Sequence, residues 1–527
     1  MLFSCARVGA PNGGTRDSLA PKFLGSNIDT TRLNVSRTVK ELRLDFDEYV
    51  MLKDFNKNFN VSPPIKKIKK VIPSNLANKY VLIQWEDTLQ ANTTYNFNFG
   101  NAIVDNNESN PLPYFNFAFS TGDKIDDLFV SGTVKDAMTL IKENQTAKDN
   151  KMVVGLYKAG ENLDYKQKPD YITKVDEENY FELNFLPKGE FVIIAFDDEN
   201  QNSVYDAGKE KVSFLKEKIT LDSTSVRGLK LKLYPSKKVV KYKESKAING
   251  GLLMTFEGNP ETVEVKSLSE ELKDFKVTHA KRSDSVNIWF DAEKSNLGGT
   301  VSKQVKLSYF TPTISDTISV SYKAVKEEFK LSNEAGNLIA PENNFVINTS
   351  LPIENLNTSS WKLESDSIAQ DFTAKISEKN PFKILVNSSF KPTKKYVLTI
   401  PKETVSSYYS SNDKSFQFQF EIDKPENYGS FTAVIKNKPT AKFWVELTNE
   451  KGEILYSHFT NASEISFKNL KPATYIARIR VDNNGNGFWD EADFAQNIAA
   501  EDVYIFEKEI NVRPLWEIKE DWELTNH

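Results

Sequence analysis

Aromatic side chains recur at every second position in this chain. The pattern is strict in Tyr95-Asn96-Phe97-Asn98-Phe99, in Phe115-Asn116-Phe117-Ala118-Phe119 and in Phe416-Gln417-Phe418-Gln419-Phe420. Successive side chains of an extended strand point to opposite faces. Such alternation therefore makes one face that must be buried and one that meets water, the pattern of antiparallel sheets. The 35 Phe and 20 Tyr fit the same structure, because aromatics favour pleated, half-buried surfaces. Spacing at 3.6 residues is nearly absent, and the one helix candidate, Leu268 to Asp274, is short. The expected fold class is all-β.

Length turns one sheet protein into several. A chain of 527 residues exceeds a single core, and at roughly 100–150 residues per domain it should hold about four or five. Hydrophobic content of 39% and charged content of 27% exclude global disorder. The net charge of −5 is spread along the chain, without the basic face a nucleic-acid binder needs, so no nucleic-acid partner is expected. The local run Lys66, Lys67, Lys69 and Lys70 reads as a solvated strand edge, where lysines discourage edge-to-edge pairing. His279, His458 and His527 are too far apart to suggest a zinc or triad site. No phosphate-cradling glycine loop, GxSxG elbow or HExxH helix is present. Asp45/Asp47 and Asp126/Asp127 read as solvated strand residues. No catalytic residue is assigned, and the chain is expected not to be an enzyme.

Turn-rich segments divide the chain. After an N-terminal segment at 1–17, sandwich domains are expected at 18–122, 123–235, 236–330, 331–424 and 425–518, with a tail at 519–527. Two spacings repeat. Leu89, Tyr95 and the Phe115/Phe117/Phe119 strand recur at equal offsets as Phe390, Tyr396 and Phe416/Phe418/Phe420. Leu186, Phe191 and Asp198 recur as Leu470, Tyr475 and Asp482. The fourth domain thus reads as a degenerate copy of the first, and the fifth as a copy of the second. The 236–330 domain stays unmatched.

Each copy of the second domain ends a strand in an acidic loop, Asp198-x-Asn200-x-Asn202-x-x-x-Asp206 and Asp482-x-Asn484-x-Asn486-x-x-x-Asp490. Alternate oxygens on a tight loop suit calcium, which takes six to eight oxygen ligands. Counted from Asp482, Gly487 falls at position six and Asp493 at position twelve, as in an EF-hand-type loop. In the first copy Ser203 and Lys209 take those places. The same residues also build plain turns, because Asx side chains cap their own backbone. Both readings stay open, with calcium as the one candidate cofactor.

The single cysteine, Cys5, follows Leu2-Phe3-Ser4 and precedes a stretch holding Pro11, Gly13 and Gly14. The tetrapeptide resembles the end of a bacterial lipoprotein signal, whose cysteine is acylated. A full signal carries a basic segment and about 7–15 apolar residues before the cleavage site, so lipidation at Cys5 requires residues upstream of Met1. No stretch reaches the roughly 18 apolar residues of a membrane helix, so attachment would come from the lipid alone.

Pro11-Asn-Gly-Gly14, Asp45-Phe-Asp-Glu-Tyr-Val50, Asn92-Thr-Thr-Tyr95, Phe97-Asn-Phe99-Gly-Asn101 and Val104-Asp-Asn-Asn-Glu108 resemble the Ig-like-domain lipoproteins of Bacteroidota. Their leading domain is similar to the bacterial Ig-like domain of S-layer proteins. Ser131-Gly132, Leu186-Pro-Lys-Gly189 and Asp198/Asn200/Asn202 look like the non-catalytic transthyretin-like module that also serves as the regulatory domain of carboxypeptidases. The resemblance implies a tandem array of Ig-like and transthyretin-like β-sandwiches in an outer-membrane lipoprotein, lipid-anchored and facing the periplasm or the cell surface. Five triplets also resemble that phylum's O-glycosylation sites, with Ser18, Thr88, Ser285, Thr317 and Ser367 as acceptors. The expected role is an interaction or scaffold component of the envelope, partnering an outer-membrane protein assembly or secretion complex, or an envelope polymer. The alternative is a surface carbohydrate-binding or adhesion protein, in which exposed Trp and Tyr stack on sugar rings. Trp444, Trp489, Trp516 and Trp522 cluster towards the C-terminus, with Trp489 the leading sugar-stacking candidate and Trp444 expected in the core.

Overall fold

The computed structural model describes residues 17–140, 151–160, 164–325, 327–334 and 336–524. Cys5 and the tether after it lie outside them. The fold is all-β, a tandem array of β-sandwiches. The helix expected at Leu268 to Asp274 is turn instead, and the one α-helix among the described residues is the single turn Phe55–Asn58. The chain divides into two compact units, one of residues up to Ser236 with Asp490–Ala500, the other of Lys237–Trp489 with the chain from Glu501 onward.

The first unit opens with a sandwich of two sheets. One runs in the order Phe23–Ser26, Glu41–Leu52, Asn78–Trp85, Ile68–Ile72, and the other in the order Asn60–Ser62, Thr94–Gly100, Phe115–Ser120. The alternating rings meet across the ladder, Tyr95 opposite Phe119 and Phe97 opposite Phe117. They pack onto Leu42, Leu44, Val81, Ile83 and Trp85 of the facing sheet. Each fully buried ring contributes about 1.5–3 kcal/mol of transfer energy. The lysine run lies on or beside Ile68–Ile72, an edge strand, with its side chains in solvent.

The second sandwich has a three-stranded sheet in the order Tyr180–Leu186, Leu128–Asp136, Val226–Leu233, and a sheet in the order Tyr171–Lys174, Met152–Lys158, Gly189–Asp197, Val212–Phe214. Its first strand runs parallel to its last. Beside its main core lies a second cluster, where Phe494 of the Asp490–Ala500 segment packs on Tyr165, Tyr205 and Phe214 at ring distances of 4.3, 5.9 and 5.1 Å.

The second unit holds three sandwiches. The last has the same strand order as the second sandwich of the chain. Its three-stranded sheet runs Glu464–Leu470, Gly429–Lys436, Glu517–Glu523, again with the first strand parallel to the last. Its four-stranded sheet runs Ile454–Thr460, Phe443–Thr448, Ala473–Val481, Val503–Val512. The tail expected from 519 is therefore strand through Glu523, held in register from Ser430/Glu517 to Lys436/Glu523. In the middle sandwich of this unit, Tyr396 lies opposite Phe420 and Leu398 opposite Phe418, the pairing seen at Tyr95 and Phe97. The two tyrosines also make the same bond, Tyr95 Oη accepting from Gln90 N and Tyr396 Oη from Lys391 N, each at 2.8 Å.

The domain expected to stand unmatched repeats the first sandwich's strand order. Lys241–Ile248, Gly251–Glu257, Ser285–Trp289 and Lys276–His279 form one sheet, and Glu264–Ser267, Lys303–Phe310 and Ser315–Tyr322 the other. Its ladder matches where its side chains do not.

Candidate functional site

The two acidic loops close in the same way. Asp198 follows the strand Gly189–Asp197, and Asp482 follows Ala473–Val481. In the first loop Asp198 Oδ1 and Asn200 Oδ1 both accept from Asn202 N at 3.0 Å. Asp198 Oδ2 accepts from Ser203 N at 3.1 Å, and Asn202 Oδ1 from Val204 N at 2.6 Å. In the second, Asp482 Oδ1 and Asn484 Oδ1 accept from Asn486 N at 3.0 Å. Asp482 Oδ2 accepts from Gly487 N at 3.0 Å, and Asn486 Oδ1 from Phe488 N at 2.8 Å. Side-chain oxygens at positions one, three and five thus cap the turn ahead of them.

Position nine is Asp206 in the first loop, where Oδ2 accepts from Asn200 Nδ2 at 2.6 Å. In the second loop Asp482, Asn484 and Asn486 belong to the second unit, whereas Asp490 and Asp493 belong to the first. Asp493, expected at position twelve, caps its own turn by accepting from Gln496 N at 3.2 Å. A buried carboxylate that reaches the second loop is Glu501, accepting from Asn484 N at 3.1 Å. Its counterpart in the first loop is Glu210, 2% exposed, which accepts from Glu199 N at 3.1 Å and Asp206 N at 2.8 Å. Counting twelve positions missed both, since they arrive from beyond the loop. Burial pushes the Glu210 carboxyl up to about 7, with the charges of Asp198 and Asp206 adding to it. Burial also raises Asp198. Among the described residues no group of three or more His, Cys, Asp or Glu is placed to hold a metal ion.

The tryptophans divide by strand alternation. Phe443, Val445 and Leu447 face the core, so Trp444 and Glu446 face the other way. Trp444 is therefore not a core residue. It stacks on Phe459 with ring centroids 4.4 Å apart and the Arg480 guanidinium 5.8 Å from its centre. Glu446 beside it is 0% exposed and doubly clamped. Arg478 donates to Oε2 from Nε at 2.9 Å and Nη2 at 2.7 Å, and Arg480 to Oε1 from Nε at 3.1 Å and Nη2 at 2.5 Å. Trp489 is half-buried, its Nε1 donating to Glu501 O at 3.1 Å and Arg480 lying 5.9 Å from its ring centre. Trp522 is a core residue packed on Phe506. Trp516 is the one of the four that stays half in solvent, 49% exposed, at the end of an open groove.

Of the five hydroxyls in glycosylation-like triplets, Ser18, Thr88, Thr317 and Ser367 are exposed. Ser285 is half-buried in a strand, its hydroxyl donating to Asp284 at 2.7 Å. No helix of the described residues is long and apolar enough to cross a membrane.

No curated protein matches the chain. Many solved structures do, at low identity. A crystal structure of the S-layer protein SbsC shares 11% identity over 94% of this chain and 67% of its own, with a TM-score of 0.15. A glycan-binding protein of the Bacteroides ovatus mixed-linkage glucan utilization locus, solved with a heptasaccharide, shares 10% identity over 74% of this chain and 97% of its own, with a TM-score of 0.21. The major pilin subunit of Bacillus cereus, BcpA, shares 11% over 76% and 99%, with a TM-score of 0.14. Among protein families, the bacterial Ig-like domain matches residues 17–121, which span the first sandwich. The opening domain of this chain is therefore similar to the bacterial Ig-like domain.

Proposed function

We propose that this chain is a non-enzymatic scaffold of the bacterial cell envelope. In this proposal Cys5 carries a lipid that holds the chain at the outer membrane, and the sandwich array engages an outer-membrane protein assembly or secretion complex. The observation that carries the reading is that neighbouring sandwiches within each unit are packed together rather than loosely tethered. In the first unit Ile172 N donates to Ser62 Oγ at 3.2 Å across the junction. In the second, Trp289 of one sandwich joins the core of the next, near Leu351 and Phe382. The same junction carries the Lys276–Glu354 ion pair and a bond from Tyr409 Oη to Asp274 at 3.4 Å. The following junction has Asn469 Nδ2 donating to Pro341 O at 2.8 Å. Such joints hold exposed loops and strand edges at set spacings, which serves multipoint recognition because little linker entropy is lost on binding.

Affinity purification from gently solubilised membranes tests this. A stoichiometric membrane-protein partner supports the scaffold, and recovery of the chain alone sinks it. Exposure of Ser18, Thr88, Thr317 and Ser367 also favours O-glycosylation. Release of sugar mass on β-elimination is expected, with Ser285 the least modified. The second reading, binding of surface carbohydrate, is favoured by the half-exposed Trp516 beside a polar groove.

A further inference from the structure

The three-stranded sheet of the last sandwich has two chemically opposite faces. Alternation sends Phe431, Ala433, Ile465, Phe467 and Trp522 into the core. It leaves Thr432, Ser466, Lys468 and Lys519 facing outward, exposed or half-exposed. At one end of this face the chain folds back on itself before entering its last strand. Trp516 N donates to Arg513 O at 3.1 Å, Leu515 N to Tyr428 O at 2.8 Å, and Ser430 N to Trp516 O at 2.8 Å. Gly429 makes that approach possible, because a Cβ there would sit 2.6 Å from Arg513 O and 2.9 Å from Trp516 O. The close contact stands the Trp516 indole at the end of the sheet as a wall, with the Arg513 guanidinium 4.9 Å from the ring centre. Wall and sheet flank an open groove of about 560 Å³ bounded by Tyr428, Thr432, Ser466, Lys468, Trp516 and Lys519. That volume lies within the roughly 300–1,000 Å³ of small-ligand clefts.

We propose that this groove binds a neutral oligosaccharide, one pyranose ring stacked on Trp516 and its hydroxyls bonded to the polar floor. The proposal rests on the second, carbohydrate-binding reading above and gives it a site and a ligand class; it does not depend on the scaffold reading. Three features select this occupant. The floor offers paired donors and acceptors: Thr432 and Ser466 hydroxyls 3.1 Å apart, and a Glu464–Lys519 ion pair at 3.1 Å. Its charges cancel, Glu464 and Glu517 against Lys468 and Lys519, which suits a neutral chain rather than a polyanion. The groove also lies on a sheet face, across the central strand Gly429–Lys436, whose main-chain N–H and C=O groups are spent in ladders on both sides. An extended peptide, which binds by adding main-chain bonds at a sheet edge, finds no such partners there, whereas a sugar needs only side chains and an aromatic face.

Titration calorimetry of the full chain against cellohexaose, laminarihexaose, maltohexaose, xylohexaose and mannohexaose tests the proposal, with a heparin hexasaccharide, a galacturonate hexasaccharide and an extended decapeptide as competing classes. At least one neutral hexasaccharide is expected to bind. Trp516→Ala should weaken it at least tenfold, Thr432→Val several-fold, and Trp489→Ala not at all. Because Trp516 is half in solvent, its variant should keep the parent melting profile; if it does not, Thr432→Val and Lys468→Ala carry the test. The proposal is overturned if no neutral saccharide binds at millimolar concentration, if the groove variants bind as the parent does, or if a charged saccharide or the peptide is preferred. Those outcomes leave co-purification of a membrane partner untouched, so the two proposals fail separately.

Discussion

Replacing Glu446 by alanine removes the centre of a charge cluster that alternation places on the outward face of the last four-stranded sheet. The carboxylate is 0% exposed and takes four donated bonds, two from Arg478 and two from Arg480. Without it the Arg478 side chain, 8% exposed, keeps its charge with its carboxylate partner gone, while Arg480 at 23% can turn partly to water. Breaking a buried pair from one side costs about 3–5 kcal/mol, and the freedom left to Arg480 places this case near the lower end. For a domain of this size each kcal/mol moves the midpoint by roughly 4–8 °C, so the last sandwich should melt about 12–24 °C lower. Calorimetry of the full chain reads the shift, and hydrogen exchange over Phe443–Thr448 and Ala473–Val481 localises it. High salt should change little, because the pair is shielded from solvent. Replacing Glu446, Arg478 and Arg480 together by apolar residues of similar volume should recover most of the loss. A Glu446→Ala variant melting within a few degrees of the parent would refute the reasoning.

Glu210, pushed up to about 7 by burial, gives the pH dependence. Its folded value lies above the ordinary carboxylate value, so the folded state holds its proton longer. Stability from this group is full below about pH 4.5 and is lost as pH rises to about 7, a fall of about 3 kcal/mol at most. Glu210→Gln should flatten that part of the melting-versus-pH curve, and a slope of the opposite sign would contradict the assignment. Tyr95→Phe and Tyr396→Phe should each cost about 1 kcal/mol in denaturant unfolding, because each removes one part-buried hydrogen bond of the same geometry. Unequal losses would show that the two corners differ. A calcium titration followed by melting separates the two readings of the loops, and a profile unchanged at millimolar calcium would leave them as plain Asx turns. A rise of several degrees, abolished by Asp198→Ala or Asp482→Ala, would put an ion in the loops.

The sheets were legible because alternation is a direct image of the strand. Tyr95, Phe97 and Phe99 could bury together only in an extended chain, and they do. Which face is the core was harder to read. Phe443-Trp444-Val445 is apolar on both sides, so nothing in it marks Trp444 as outward until Phe459 and Arg480 are seen covering it. The last strand, Glu517–Glu523, reads as a polar tail because Ile518 and Trp522 are its only apolar residues; its parallel ladder to Gly429–Lys436 supplies the rest. The Lys241–Tyr322 sandwich matched nothing by spacing because a ladder is made by main-chain groups that every residue carries. Loop spacing revealed the Asx turns but not Glu210 or Glu501, whose carboxylates meet the loops only after the chain has turned back. The Trp516 groove needed Gly429 and the Arg513–Trp516 turn to come together in space.

Co-purification from gently solubilised membranes of the chain expressed behind a complete lipoprotein signal, run beside its Cys5→Ala variant, tests the scaffold proposal. The parent chain should sediment with membranes and recover a partner at fixed stoichiometry, while the variant is released and loses it. A parent chain recovered alone, or a variant that stays membrane-bound with the same partner, would contradict it.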